Sequence, residues 1–155
     1  MSSFEAKPLE MFCSRYGVSI PFDMERIRAG RNSEVWRLFN ADGQWILKNY
    51  YQHSSDERDR LGTEFGFLRF LSNAGVRGIA QPMGIDRSSH RALYSLLPGK
   101  RPCRITSGHI TQAANFIGDI NQRRAWSAAM ALPTAADSCF SWQDHLELTK
   151  TRIGR

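Results

Sequence analysis

Two ionisable residues stand on stretches of the chain that otherwise read as apolar. Lys48 lies in the middle of Gln44-Trp-Ile-Leu-Lys-Asn-Tyr50, and Glu64 lies on the hydrophobic stripe of the segment that follows. Each is costly to bury alone, so the two together predict an ion pair. One strand earlier, Gly30-Arg-Asn-Ser33 offers a Gly-containing loop whose backbone N–H groups could approach phosphate oxygens. Plainer roles fit the same residues: the loop could be an ordinary β-turn, and Glu64 could pair with Arg60 on the helix surface for a few tenths of a kcal/mol. The residues alone point to an anion site on a small sheet.

The elements that would position these groups follow from patterning. Pro8–Tyr16 followed by Gly17 predicts a short helix with Pro in its first turn and a left-handed residue after its end. Arg26–Gly30, Glu34–Asn40 and Gln44–Tyr51 predict three strands, the last two joined by a tight turn at Asp42-Gly43. In the third, Ile46, Lys48 and Tyr50 share one face while Trp45, Leu47 and Asn49 share the other, so both faces should be covered. Ser54-Ser-Asp-Glu57 reads as a capping box opening a helix that ends near Ala74-Gly75, with Leu61, Phe65 and Leu68 inward and Phe67 and Leu71 flanking. Ile79–Asp86, which contains Pro82 and Gly84, predicts an edge strand or a bent one; after a turn at Arg87–His90, Arg91–Leu97 predicts a fifth. Beyond Pro98-Gly99 the pattern is helical only. One helix runs from Thr106 or Ser107 to about Arg124 with Ile110, Ala113, Ala114, Ile117 and Ile120 inward; another runs from Ser141 to Gly154. The expected fold class is α+β, with a five-stranded antiparallel sheet and one long packed helix over 1–98, then a connector and two helices over 99–155.

Composition narrows the function classes. The 155 residues are 41% hydrophobic and 11% aromatic, ordinary for a chain with a packed core. No apolar run approaches the ~20 residues that cross a bilayer, and the first residues lack the basic-then-apolar layout of a signal peptide. Cys13, Cys103 and Cys139 are widely spaced and odd in number, which predicts reduced thiols in a cytoplasmic protein and no metal-ligand spacing. The net charge of +6, mostly from scattered arginines, suits a phosphorylated ligand, a nucleic acid or simply a solvated basic surface.

Taken together, the chain resembles the N-terminal lobe of the aminoglycoside phosphotransferase and choline kinase family, which has the protein-kinase-like fold. The resemblance rests on Gly30-Arg-Asn-Ser-Glu-Val-Trp-Arg-Leu38, Asp42-Gly-Gln-Trp-Ile-Leu-Lys-Asn-Tyr50, Asp59-Arg-Leu-Gly-Thr-Glu-Phe65 and Leu93-Tyr-Ser-Leu-Leu-Pro-Gly99. Pro133-Thr-Ala-Ala-Asp-Ser-Cys-Phe-Ser-Trp-Gln-Asp-His-Leu146 also resembles the start of that family's helical lobe. It implies ATP and magnesium as cofactors and a small-molecule hydroxyl as acceptor. Lys48 would meet the α- and β-phosphates and be held by Glu64, and Gly30, Asn32 and Ser33 would close over the phosphates. Val35 and Ile46 would sandwich the adenine. Tyr94 would sit at the back of the pocket, and Ser95 and Leu97 would present backbone C=O and N–H to the adenine edge.

The family's catalytic and magnesium-binding residues come from an H-x-D-x-x-x-x-N loop and a later Asp. Here the four histidines are followed two positions on by Ser55, Ala92, Thr111 and Glu147, and no Asp precedes an Asn by five. The chain therefore supplies no catalytic residue and no metal ligand; in the resembled family these lie further on, and an unfinished helical lobe would expose apolar surface and favour self-association. Two other readings stand beside the kinase reading. One is a non-catalytic, pseudokinase-like module that binds a nucleotide or a protein. The other, less favoured, is a nucleic-acid binder using Arg26, Arg28, Arg31 and Arg37 with Trp36 and Trp45 as stacking groups.

Overall fold

Alternation in the strands and spacing in the helices build one sheet with a helix on each face. The computed structural model describes residues 3–29, 33–52, 58–133 and 141–153. Its elements are α1 (Ser3–Arg15), β1 (Asp23–Ala29), β2 (Ser33–Phe39), β3 (Gln44–Tyr50), α2 (Arg60–Asn73), β4 (Pro82–Asp86), β5 (Arg91–Ser95), α3 (Ser107–Asn121), α4 (Ser127–Met130) and α5 (Trp142–Ile153). The five strands form an antiparallel sheet in the order β1-β2-β3-β5-β4, the α+β arrangement expected.

Residues opposite each other in an antiparallel ladder share a face. Trp36, Leu38, Trp45, Leu47 and Leu93 therefore point one way, where Leu9, Phe12 and Cys13 of α1 and Val18 pack against them. Ile46, Tyr50, Ala92 and Tyr94 point the other way, under Leu61 and Phe65 of α2. β3 is thus covered on both faces. The Asp42-Gly43 turn is secured by Asn40, whose Oδ1 accepts from the N–H groups of Asp42 and Gly43 at 2.9 and 3.1 Å. Gly17 takes φ +82° after α1, the conformation that its position demanded.

Several boundaries differ from expectation for identifiable reasons. α1 begins at Ser3, so Pro8 lies inside it and removes the bond its N–H would have made to the Phe4 carbonyl. The capping box at Ser54–Glu57 lies outside the described residues; Asp59 caps α2, accepting from the Gly62 N–H at 2.7 Å. β4 starts only at Pro82, on the edge where a missing N–H is tolerated, and β5 stops at Ser95. Leu61, Phe65 and Leu68 of α2 pack inward as expected, but the two flanking residues differ: Leu71 is buried and Phe67 is exposed. The largest departure is α3: Ile110 and Ile117, expected inward, are 63% and 58% exposed, and only Ile120 packs on the cluster of Leu71, Val76 and Ile79.

Two positions test this account. At Gly84 of β4 an added Cβ would stand 2.2 Å from Cδ2 of Tyr16, whose ring is packed edge-on against Phe12 at a centroid distance of 5.3 Å. Gly84→Ala should therefore lower stability by about 1–3 kcal/mol through overpacking, as read from urea unfolding. In the β4–β5 turn, burial tends to raise the Asp86 carboxyl, but the hydroxyls and N–H groups of Ser88 and Ser89 outweigh it and hold the group at about 2, below its ordinary 3.8. A depressed carboxylate stabilises the fold above its unfolded value and loses that contribution as pH falls through its folded value. Asp86→Asn should accordingly flatten the acid limb of the stability profile between pH 3.8 and about 2.

Candidate functional site

Lys48 and Glu64 meet. The register pairs Val35 with Lys48 across β2 and β3, and Lys48 with Ala92 across β3 and β5, so Lys48 faces α2. On α2, Glu64 comes three residues after buried Leu61 and directly before buried Phe65, which turns its carboxylate to the sheet. Lys48 Nζ donates to Glu64 Oε2 at 2.5 Å. The pair is more open than a buried ion pair: the side chains are 21% and 40% exposed. Arg60, the alternative partner at i−4, is not the residue that this carboxylate meets in the ion pair.

Lys48 has a second neighbour. Its Nζ lies over the ring of Tyr50 at 4.7 Å from the centroid, a cation–π distance. The Tyr50 hydroxyl is hydrogen-bonded to that of Tyr94 at 2.9 Å, and both rings are buried. Burial, the Tyr94 phenol and Glu64 together push the Tyr50 hydroxyl far above its ordinary value, so it stays protonated. Burial and Glu64 raise Tyr94 in the same direction, against an opposing hydrogen bond from Tyr50.

The other expected site residues distribute as follows. Val35 and Ile46 lie half-buried on the face that carries Lys48, and Ser33 opens β2 opposite Tyr50 on that same face. Tyr94 is opposite Ile46. The N–H of Ser95 is bonded to the Gln81 carbonyl at 2.9 Å and its hydroxyl accepts from the Gln81 N–H at 2.8 Å, so that N–H is committed within the sheet. Leu97 is exposed just past the end of β5. Gly30 and Asn32 lie outside the described residues.

A cavity of about 360 Å³ opens beyond Tyr50, between the start of α2 and the β4–β5 turn, bounded by Tyr51, Asp59, Leu61, Arg87 and His90. None of the described site residues expected from sequence lines it. Trp36 and Trp45, the stacking groups of the nucleic-acid reading, pack half-buried against the α1 side of the core. Cys13 is buried and Cys103 exposed, and both are free thiols; burial pushes Cys13 up to about 11, with Arg91 opposing. Cys139 lies outside the described residues. Among the described residues no three His, Cys, Asp or Glu side chains cluster to hold a metal ion, and no helix is long and apolar enough to cross a membrane.

The sequence pattern singled out the ion pair because each member interrupts an apolar stripe. The pattern puts Tyr50 on the face of Lys48 but gives no sign of a role, since its contact with Tyr94 depends on β5 lying beside β3. No protein-family model matches the sequence, and no curated protein matches it. Among solved structures, the chain is similar to a protein from Ralstonia eutropha JMP134 described as a "putative aminoglycoside phosphotransferase". The identity is 16% and the TM-score 0.43, over 61% of this chain and 28% of that protein, so the chain spans little more than a quarter of its length.

A pair this exposed should stabilise the fold only modestly. In a double-mutant cycle of Lys48→Met and Glu64→Gln, the coupling energy from urea unfolding should be about 1 kcal/mol or less.

Proposed function

We propose that this chain is the ATP-holding part of a small-molecule kinase, with residues 1–98 forming a nucleotide-binding lobe and 99–155 a connector and the first helices of a second lobe. The observation that supports this most is the Lys48–Glu64 contact on the sheet face that also carries Val35 and Ile46. An ammonium fixed by a carboxylate is a compact point charge suited to phosphate oxygens, and the half-buried aliphatic face beside it suits a flat ring. The two halves of the site match the two halves of a nucleotide.

Within this reading Lys48 binds the α- and β-phosphates, Glu64 orients Lys48, and Ser33 with Gly30 and Asn32 covers the phosphates. Val35 and Ile46 hold the adenine, backed by Tyr94. With the Ser95 N–H occupied, the adenine edge is met by the Ser95 carbonyl and the Leu97 N–H. ATP supplies the phosphoryl group, which the whole enzyme moves to a hydroxyl of an aminoglycoside, choline-like or sugar acceptor. Magnesium neutralises phosphate charge there through ligands outside this chain. The setting is cytoplasmic. Exposed Ile105, Ile110, Ile117 and Met130 give the isolated chain a surface for self-association.

One observation favours a second reading, a non-catalytic module that binds nucleotide or protein: no H-x-D-x-x-x-x-N pattern occurs in these residues. An H-x-D-x-x-x-x-N in the reading frame after Arg155 decides for the kinase. For the chain itself, MgATP should raise the melting temperature and Lys48→Ala should abolish the rise, while no phosphotransfer turnover occurs. Salt-sensitive oligonucleotide binding with no response to ATP would overturn both readings.

A further inference from the structure

We propose that Tyr50 is a positioning residue for Lys48: the face of its ring and the carboxylate of Glu64 hold the ammonium between them, and its hydroxyl ties this clamp to Tyr94. The inference deepens the nucleotide-site reading and rests on it for its functional consequence.

Three features carry it. Lys48 and Tyr50 are two apart on one strand and so share a face, which allows the lysine to lean along β3 until Nζ stands 4.7 Å from the ring centroid. The ammonium's other contact, Glu64 at 2.5 Å, comes from a different element, so the charge is restrained from the strand and from the helix at once. Finally, the ring itself is fixed. Tyr50 is 7% exposed among Leu61, Phe65, Ala92 and Tyr94, and its hydroxyl is pinned at 2.9 Å to that of Tyr94. An ion pair alone leaves a four-carbon side chain free to swing about the carboxylate; an aromatic wall removes much of that freedom before any phosphate arrives, so less ordering remains for binding.

A tyrosine acting only as core filler would occupy the same volume, and the test must separate the two. The full chain labelled with carbon-13 lysine contains four lysines, Lys7, Lys48, Lys100 and Lys150, and Lys48→Arg identifies the Lys48 resonance. In the wild type the Lys48 Cε protons should be displaced upfield by the ring current relative to the other three. Tyr50→Phe should keep most of the displacement and Tyr50→Leu should remove it. Tyr94→Phe, which breaks the same hydroxyl bond as Tyr50→Phe, should match that variant. In parallel, MgATP affinity by titration should fall about three- to tenfold in Tyr50→Leu and stay near wild type in Tyr50→Phe. A wild-type Lys48 resonance without displacement, or a displacement that survives in a folded Tyr50→Leu, overturns the clamp. So does a Tyr50→Phe variant that loses the displacement while its amide spectrum remains folded. If the wild type ignores MgATP, the nucleotide reading falls, and the lysine spectra still judge the clamp.

Discussion

The sheet face beneath α2 must accept a charge without losing the packing that holds the helix there. Burying Leu61 and Phe65 of α2 against Tyr50, Ala92 and Tyr94 is worth about 1.5–3 kcal/mol for each side chain. A half-exposed ion pair contributes about 1 kcal/mol at most. The hydrophobic contacts therefore decide where α2 lies, and Glu64 reaches Lys48 because its place between Leu61 and Phe65 brings its carboxylate to the sheet. The pair is a consequence of packing rather than its cause.

The two faces of the sheet differ in what they permit. On the α1 side, Leu38, Leu47 and Leu93 are closed from water, and burial makes the Cys13 thiol a poor nucleophile. That face holds the strands together. On the α2 side, the helix covers β3, β5 and β4 around Tyr50, Ala92 and Ile85, while Val35 and Ile46 stay half-buried and Lys48 keeps access to solvent. The end of α3 and the residues just after it hold on to the far end of α2. Ile120 joins the Leu71 cluster, Arg123 donates to the Ala74 carbonyl at 3.4 Å, and Trp126 stands edge-on to Phe70.

What could be read from the residues follows the range of the interactions involved. Strand faces, the Asp42-Gly43 turn and the break after Gly17 are set by neighbours within a few positions, and they read correctly. The start of α1 is not legible locally because Pro8 is more at home in a first turn, yet the helix absorbs one lost hydrogen bond. The pattern of α3 is amphipathic, but periodicity says which residues share a face and not whether anything covers it. In the site, Lys48 and Glu64 were legible because charge on an apolar stripe is costly. The Tyr50–Tyr94 bond was not, because residues 44 apart become neighbours only once β5 is inserted beside β3.

The height of Glu64 along the sheet is also influenced at the start of α2. One helical turn advances 5.4 Å, so a slip of that size would carry the carboxylate out of reach of Nζ. Asp59 opposes such a slip: it accepts from the Gly62 N–H at 2.7 Å and from Arg87 of the β4–β5 turn at 2.9 Å, tying the helix start to the sheet edge. The Arg87 guanidinium first, and then the Gly62 N–H, hold the Asp59 carboxyl below its ordinary range, which keeps the tie charged. Arg87 in turn occupies a tight turn that Asp86 organises through Ser88 and Ser89. The geometry around the Lys48 ammonium thus depends on a short polar chain at the sheet's edge as well as on the apolar contacts beneath the helix. Apolar contacts fix which face of α2 meets the sheet, and this exposed polar tie, worth about 1 kcal/mol at most, adds a preference for one register along it.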